Sequence, residues 1–540
     1  MAGSAIFVTR RNRRSALLPW VLLLPLFALL AWLFWPVTRA DFVADDYVFL
    51  TTARMVNEPL AAFWQSHFYE PYYFRPIGVV SWWLATRLFG LDYHSHSLIN
   101  LVLHCINAGL LFALLRALAL SASAVAAGVA LFALGPAAFA AVLWPSNRFD
   151  LLAAGFLLVQ AIATVRALHG RWLAIAVAAL AALAACWSKE GAYPVATAMA
   201  LVVLAASGVS WRLRLGLFAL LGSAIGGAFF WRHRILTEAY AVSGADPIGQ
   251  AVDGAVAMVS SLPRLMELVV GAQSTQWLGW GLLAALLLSL IWSRRERGVS
   301  RGLLGSALFV FSAAFIVQTP LAKLFASMLD GGPFGTVTFA RFYYAPWAAL
   351  SVVVALVLAR GRLGRFAAIV VVALTAAVGL SMRPLGESFA AWTQKEIAPM
   401  SLAASRLVDS AGGSPCVFVL LGTQAKQPFF RMFSDVTVKA LTVQPAQTWR
   451  CHVMTESTPW LFAFPVNDVP ADLPLRKITD AAGVAKADSA WGGIRYRYRL
   501  PANDLATLPG ARFFDWRDGR FIEVTEDVRS GAQKVKSKDW

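Results

Sequence analysis

The chain has 540 residues, 58% of them hydrophobic and 14% charged, with a mean hydropathy of +0.61 and a formal net charge of +17. Soluble globular chains carry about 45–50% apolar and about 25% charged residues, so this composition excludes a water-soluble enzyme and calls for lipid to receive the apolar excess. Much of the positive charge lies in short loops between apolar runs, which marks membrane topology and argues against a nucleic-acid-binding face.

The first apolar run, residues 17–36, follows Arg10, Arg11, Arg13 and Arg14. It is longer than the about 7–15 residues of a signal-peptide core, lacks a small-x-small cleavage site, and is long enough to span as a helix. We take it as a retained anchor with a cytoplasmic N-terminus. Residues 37–92 then form a long outer loop with partly apolar stretches suited to the membrane surface.

Further spans are expected at residues 93–115, returning to Arg116, and at 121–144, leading out to a loop over 145–150. The fourth returns to Arg166 and Arg171, the fifth leads out to Lys189-Glu190, and the sixth returns to Arg212 and Arg214. The seventh covers residues 215–231. An amphipathic segment over 248–271 stays at the outer surface. An eighth span, 276–292, returns to Arg294, Arg295 and Arg297, and a ninth leads out toward Lys323. The tenth, 342–358, returns to Arg360, Arg362 and Arg365, and the eleventh leads out to Arg383. The loops placed inside carry sixteen Arg and one acid, Glu296, which is the positive-inside bias for this path as a whole.

The expected fold is therefore an all-α polytopic membrane domain of about 11 helices over residues 1–382, followed by a small soluble α/β or mostly β domain over 383–540. Residues 415–422 have the character of a buried strand, residues 494–500 alternate, and residues 513–524 bracket Asp518-Gly519, a hairpin signal. Cys416 and Cys451 both fall in this outer domain, where an oxidising compartment permits either a disulfide or two thiols. Cys105 and Cys186 sit inside spans as small apolar fillers.

Candidate chemistry gathers at the outer ends of the spans. Asp45 and Asp46 follow the anchor closely, with Glu70 and Arg75 further along the same loop. The acidic pair fits either a solvated interfacial loop or a general base with a supporting carboxylate, because like charge raises the pKa of one member. Arg148 and Asp150 open the fourth span, Lys189 and Glu190 close the fifth, and Arg341 opens the tenth. Singly these suit snorkelling anchors; together they suit cations that bind a phosphate. Asn100 and His104 share one helix face, where a helix–helix hydrogen bond is the expected use. His94 and His96 lack a carboxylate or Cys at ligand spacing, so no metal site and no cofactor is expected.

The order Asp45-Asp46, Tyr73-Phe74-Arg75-Pro76, Asn100-x-x-x-His104, Trp144 to Asp150, Ser188-Lys189-Glu190 and Arg341-Phe-Tyr-Tyr-Ala-Pro346 resembles the GT-C superfamily of membrane glycosyltransferases. It is most similar to bacterial homologues of the O-mannosyltransferases that carry tetratricopeptide repeats, and more distantly to protein mannosyltransferases and the aminoarabinose transferases of lipid A. The chain departs from them in having no 34-residue period after Arg383, Ala340 where an acid usually precedes the Arg, and Ser97 where a His is usual. The resemblance implies transfer of a sugar from a polyprenyl-phosphate donor to an acceptor hydroxyl or amine on the non-cytoplasmic face, with inversion. In that reading Asp45 is the base, Asp46 its support, and Arg148, Lys189, Arg341 and Arg75 are phosphate ligands. Glu70, Asp150, Glu190, Asn100 and His104 support them, and the fifth to tenth helices leave a groove for the lipid tail.

The partners implied are membrane lipids, the lipid-linked donor and a glycan, lipid or protein acceptor. The Ala- and Arg-rich composition points to a bacterial inner membrane with a periplasmic C-terminal domain. A cell-envelope polysaccharide polymerase or ligase, or a lipid or glycan transporter, is the alternative. Transport is disfavoured because the central turns of the spans are nearly free of charge.

Overall fold

The computed structural model describes residues 23–55, 58–64, 74–236, 252–253, 255–259, 301–319, 339–359, 364–412, 414, 416–422, 437–438, 440–443, 451–455, 460–463, 476–478, 496–499, 506, 510–533 and 535. In chain order the first helices are α1 (Leu23–Phe34), α2 (Asp45–Met55), α3 (Pro76–Phe89), α4 (Tyr93–Ala117), α5 (Ala122–Ala133), α6 (Pro136–Leu143) and α7 (Arg148–Leu168). There follow α8 (Trp172–Ser188), α9 (Ala192–Leu204), α10 (Trp211–Ile235), α11 (Arg301–Ile316), α12 (Tyr344–Leu358), α13 (Gly364–Trp392) and α14 (Ala398–Ser410). The strands are β1 (Cys416–Leu421), β2 (Cys451–Thr455), β3 (Trp460–Ala463), β4 (Arg476–Ile478), β5 (Tyr496–Arg499), β6 (Ala511–Arg517) and β7 (Arg520–Glu523), with a closing α15 (Thr525–Arg529).

Among the described residues, five helical stretches are long and apolar enough to cross a bilayer: α4, Pro145–Leu168, α10, Ala340–Leu358 and Gly364–Ser410. The pair α5 and α6 passes the same test as one bent span, and α1, α8, α9 and most of α11 are shorter apolar helices. The chain is a multi-pass membrane protein. Every expected span with described residues is helical; the span at 276–292, Lys323 and most of 248–271 lie outside the described residues, as do Arg10, Arg11, Arg13 and Arg14.

Three features differ from the sequence reading. The span expected over 121–144 is broken by 45° between α5 and α6, at Leu134-Gly135-Pro136. Pro136 cannot donate to the preceding turn, and the carbonyls released there are taken by other helices. Trp347 Nε1 donates to Leu131 O at 2.7 Å, and His104 Nε2 to Ala133 O at 3.1 Å. A Cβ at residue 135 would collide with the Trp347 indole, so this close approach needs Gly135.

The outer loop contains two helices, α2 and α3. The eleventh span does not stop at Arg383, because α13 carries Pro384 in its interior and runs on to Trp392. Arg383 stacks 4.2 Å over Trp32, donates to the Trp32 carbonyl and pairs with Glu387 at 3.2 Å, which fastens the helix across its weak point.

The chain divides into two compact units. One comprises Met1–Thr38, Ser97–Arg232 and Ala241–Ser388; the other comprises Arg39–His96, His233–Tyr240 and Phe389–Trp540. The outer loop is thus grouped with the C-terminal residues. Arg54, in the last turn of α2, donates to the carbonyls of Ala440 at 2.5 Å, Thr442 at 3.0 Å and Val443 at 3.5 Å, and the Asp41 amide donates to Thr393 Oγ1 at 3.0 Å.

In this second unit β1 lies between parallel neighbours β2 and β6, and β7 pairs antiparallel with β6, giving the order β2-β1-β6-β7. Asp518 and Gly519 both have positive φ, +49° and +77°, as a tight hairpin turn between β6 and β7 requires. One face packs on Met400, Ala404 and Val408 of α14, making a two-layer α/β arrangement. A separate antiparallel sheet has the order β3-β5-β4.

Cys416 and Cys451 are register partners in β1 and β2 and are joined by a disulfide across 35 residues. Closing a loop of that size stabilises by about 3–4 kcal/mol in the chain-entropy model. Alkylation of the denatured protein should therefore modify Cys105 and Cys186 without reductant and all four cysteines after it; four modified cysteines before reduction would exclude the bond.

Candidate functional site

In the membrane unit the polar residues are organised by α4. Its first residues belong to the second unit, where Asp92 caps the helix start, with Oδ2 accepting from Ser95 N at 3.1 Å. Asn100, His104 and Asn107 then lie along one helix face, all at most 1% exposed. Asn100 Nδ2 donates to the carbonyls of Ala141, Trp144 and Pro145 at 3.1–3.3 Å, while its Oδ1 accepts from Arg148 Nε at 3.3 Å. Since a carbonyl only accepts, His104 holds its proton on Nε2; its Nδ1 accepts from the Tyr344 hydroxyl at 2.9 Å. Asn107 Nδ2 donates to that same hydroxyl at 3.1 Å and to Leu151 O at 2.9 Å. The expected helix–helix hydrogen bonding of Asn100 and His104 thus joins α4 to α5, α6, α7 and α12.

The cations at the Arg148 end differ in setting. Arg148 is fully buried. Lys189 Nζ sits 2.5 Å from both carboxylate oxygens of Asp150, with side-chain exposures of 12% and 11%. Arg341 is half-buried, stacked 4.7 Å over the Trp144 ring and 5.0 Å over Phe342. Trp144 ends the turn that Asn100 holds, so Arg341, Trp144, Asn100 and Arg148 form one cluster. Lys189, Asp150 and Glu190 meet where α8 ends and α9 begins beside the start of α7.

An apolar cavity of about 450 Å³ lies within the same unit. Its walls include Ala154 and Leu157 of α7, Val195 of α9, Val310 of α11, and Ala345 and Leu356 of α12. Ala154 and Ala345 each lie four residues beyond Asp150 and Arg341, about 6 Å along a helix axis. The cavity extends along α7 to His169 at the opposite end. It is therefore a slot running lengthwise between helices, with charged groups about one turn beyond one end.

In the second unit Asp45 and Asp46 open α2. Ala44, just before them, has φ +48°, an uncommon conformation for a residue with a side chain, and it turns the chain sharply into the helix. Asp46 is fully buried and its Oδ2 accepts from Val43 N at 3.0 Å, whereas Asp45 is half-buried. The two carboxylates thus differ: Asp46 fixes the turn that presents Asp45. Arg75 stands at the N-cap position of α3, immediately before Pro76. Glu70 lies outside the described residues. His96 contacts Gly90 O at 3.2 Å and packs against Phe42 and Trp82. Among the described residues no three His, Cys, Asp or Glu side chains gather as a metal-binding group would.

Sequence reasoning missed Asp41. Its Oδ1 accepts from Phe42 N at 2.7 Å, and burial pushes its carboxyl up from the ordinary 3.8 to about 6 against that hydrogen bond. A solitary acid before two apolar residues looks like loop polarity; only the packing around it reveals that it is desolvated.

No protein-family model and no curated protein sequence matches the chain significantly. Among solved structures it is similar to ArnT from Cupriavidus metallidurans bound to undecaprenyl phosphate, at 14% identity over 82% of this chain and 90% of that one, with a TM-score of 0.36. The apo state of ArnT gives 15% identity, 82% and 86% coverage and a TM-score of 0.34. The Archaeoglobus fulgidus oligosaccharyltransferase tethered to an acceptor peptide by a disulfide gives 12% identity, 82% coverage of this chain and a TM-score of 0.39. The matched region spans 64% of that oligosaccharyltransferase, less than two thirds of its length.

The Asp41 shift has a signed consequence. A carboxyl whose pKa is higher folded than unfolded binds more protons in the native state, so it favours folding at low pH and this contribution is lost as pH rises from about 4 to 6. Thermal unfolding of the full chain in detergent should show this limb in wild type and lose it in Asp41→Asn. An unchanged limb in the variant would assign it to another group.

Breaking the Lys189–Asp150 pair should cost more than removing both charges. Asp150→Ala is expected to destabilise by about 3 kcal/mol, with part of that loss recovered in Asp150→Leu/Lys189→Met. Equal loss in both variants would mean that the pair leaves no uncompensated buried charge when broken.

Proposed function

We propose that the chain is a membrane glycosyltransferase of the GT-C superfamily, moving a sugar from a polyprenyl-phosphate donor to an acceptor on the non-cytoplasmic face of a bacterial inner membrane. The observation that carries this reading is the cavity: an elongated apolar slot with Lys189, Asp150 and Arg341 about one helical turn beyond one end. An amphiphile with a long hydrocarbon tail and an anionic head matches that distribution of surface. A soluble nucleotide-sugar donor would have no use for the slot. The order of motifs described above agrees with the same class.

In the reaction, the bond between the sugar anomeric carbon and the phosphate oxygen breaks, and the leaving phosphate takes the electron pair. A bond forms from the acceptor oxygen or nitrogen to the opposite face of that carbon, and the acceptor proton passes to a carboxylate. Arg341 and Lys189 offset the charge developing on the phosphate, where fixed cations in a water-poor setting act most strongly. Arg148, buried behind them, holds the Trp144–Asp150 turn through Asn100.

Asp45 is the base, because Asp46 is committed to the Val43 amide. Arg75 is a further phosphate ligand from the outer loop, Glu70 and Glu190 support the polar groups around them, and no metal takes part. Asp41 is the second candidate base, since a carboxyl near pH 6 is well matched to proton transfer at neutral pH.

The test is a donor-consumption assay in proteoliposomes with a panel of polyprenyl-phosphate sugars. Wild type should consume at least one donor. Asp45→Asn should lower the rate by at least about a hundredfold while still inserting and folding, and chelator should have no effect. Near wild-type activity in Asp45→Asn with loss in Asp41→Asn would move the base to Asp41. Consumption only of diphosphate-linked glycans would favour a polymerase or ligase.

A further inference from the structure

Within the second unit, the helix that opens with Asp45 and Asp46 carries Arg54 in its last turn. Residues 437–438 and 440–441 are helical, and Thr442 N donates to Val438 O at 3.1 Å. Carbonyls at the end of such a turn have no backbone donor within it. Arg54 supplies the donors, reaching Ala440 O at 2.5 Å, Thr442 O at 3.0 Å and Val443 O at 3.5 Å. These carbonyls lie 386, 388 and 389 residues away in the chain. Arg54 therefore caps a different helical turn and joins two segments, where an ordinary terminal cation would serve its own helix. Asp409 of α14 accepts from the Val443 amide at 3.2 Å, and its charge also acts on Arg54.

What Arg54 grips is itself fixed. Val438 is fully buried in one core with Met400, Ala404 and Val408 of α14 and with Cys451 of β2. Cys451 is in turn bonded to Cys416 of β1. The opposite end of α2 has its own ties: Asp46 holds the Val43 amide, and the Asp41 amide donates to Thr393 Oγ1 at 3.0 Å, shortly before α14. Both ends of this 11-residue helix are thus secured, and the Asp41 and Arg54 ties run to C-terminal residues.

Resting on the transferase reading above, we propose that Arg54 is a positioning residue for that reaction: by tying α2 to residues 440–443 it fixes where the Asp45 carboxylate stands against the acceptor. It acts through Asp45. Secured at both ends, α2 cannot swing; released at residue 54, it pivots about the turn over 41–46 and carries Asp45 with it. A misplacement of about 1 Å lowers a rate by about a hundredfold, and a residue close to the pivot moves less, so Arg54→Ala should lose about 5- to 30-fold in turnover.

The test measures transfer by the full chain in proteoliposomes from undecaprenyl-phosphate-linked mannose, glucose and galactose, with a bacterial cell-envelope extract as acceptor. On the donor that wild type consumes, Arg54→Ala should lower kcat by that factor and leave the donor KM within about twofold. Arg54→Lys, which keeps the charge with one donor group in place of the fork, should recover part of the loss. In the Asp45→Asn background Arg54→Ala should cost less than about twofold more, because residues that act as one unit do not add. Where Arg54→Ala does not insert, Arg54→Lys carries the same comparison with the same signs.

The proposal is overturned if the Arg54 variants keep wild-type kcat. It is overturned equally if their loss multiplies in full with that of Asp45→Asn, or if activity falls only in proportion to the folded fraction, as a merely structural contact would give. Wild-type transfer by Asp45→Asn would remove the assigned base, and failure of wild type to consume any of the three donors would sink the transferase reading itself; both outcomes are distinct from a failure of the Arg54 tie.

Discussion

The membrane unit depends on one polar seam, the face of α4 that carries Asn100, His104 and Asn107. In hydrocarbon a backbone carbonyl released by a helix break has no water to turn to, so a broken span survives only where side chains supply the missing donors. His104 supplies one to Ala133, and Trp347 supplies another to Leu131. Asn100 gathers the carbonyls at the end of α6 and passes its own oxygen to Arg148. The turn after the break and the first residue of α7 are therefore held by α4, which shares the break itself with Trp347 of α12. Removing any of these donors would strand a buried acceptor in addition to losing a bond.

From that seam follows the placement of charge. Arg148 can be fully buried because Asn100 meets it, and Arg341 is held over Trp144, the residue whose carbonyl Asn100 also binds. Lys189 and Asp150 neutralise one another at 2.5 Å, so the carboxylate in the first turn of α7 is held in an ion pair. A buried pair of this kind adds little net stability compared with apolar replacements. On the proposed function the pair has a further use: Asp150 would fix the ammonium in place before an anionic ligand arrives, so that less ordering is needed on binding.

How much of this was legible in the sequence depends on the kind of residue. Spans were legible because about twenty apolar residues bounded by Arg have few other physical uses. Strand β1 and the β6–β7 hairpin were legible from a short apolar run and from Asp518-Gly519, whose backbone demands are local. The bend at Gly135-Pro136 lay inside an apolar run, and its partners, Trp347 and His104, are distant in sequence. The passage of α13 through Pro384 was hidden for the converse reason: a local breaker was overruled by Arg383 and its contacts with Trp32. Charged residues announced themselves as candidates, whereas Asn107 did not, because an uncharged polar side chain in a span draws notice only when its partners are seen. Asp46 was readable as an acid beside another acid; that it caps Val43, leaving Asp45 as the half-buried member, required the turn at Ala44.

The grouping of the outer loop with the C-terminal residues has a mechanical meaning within that unit. Helix α2 has the acidic pair at its first turn and Arg54 at its last, about 14 Å apart along an 11-residue helix. Arg54 donates to three carbonyls over residues 440–443, and Asp409 of α14 accepts from the Val443 amide at 3.2 Å. Hydrogen bonds to a charged group are worth about 1.5–3 kcal/mol each, enough for this set to hold the far end of α2 against thermal motion. A helix of three turns transmits a displacement of one end to the other, so whatever moves residues 440–443 also moves Asp45. The C-terminal residues consequently do more than follow the membrane helices in the chain: they fasten the helix that carries the outer-loop carboxylates.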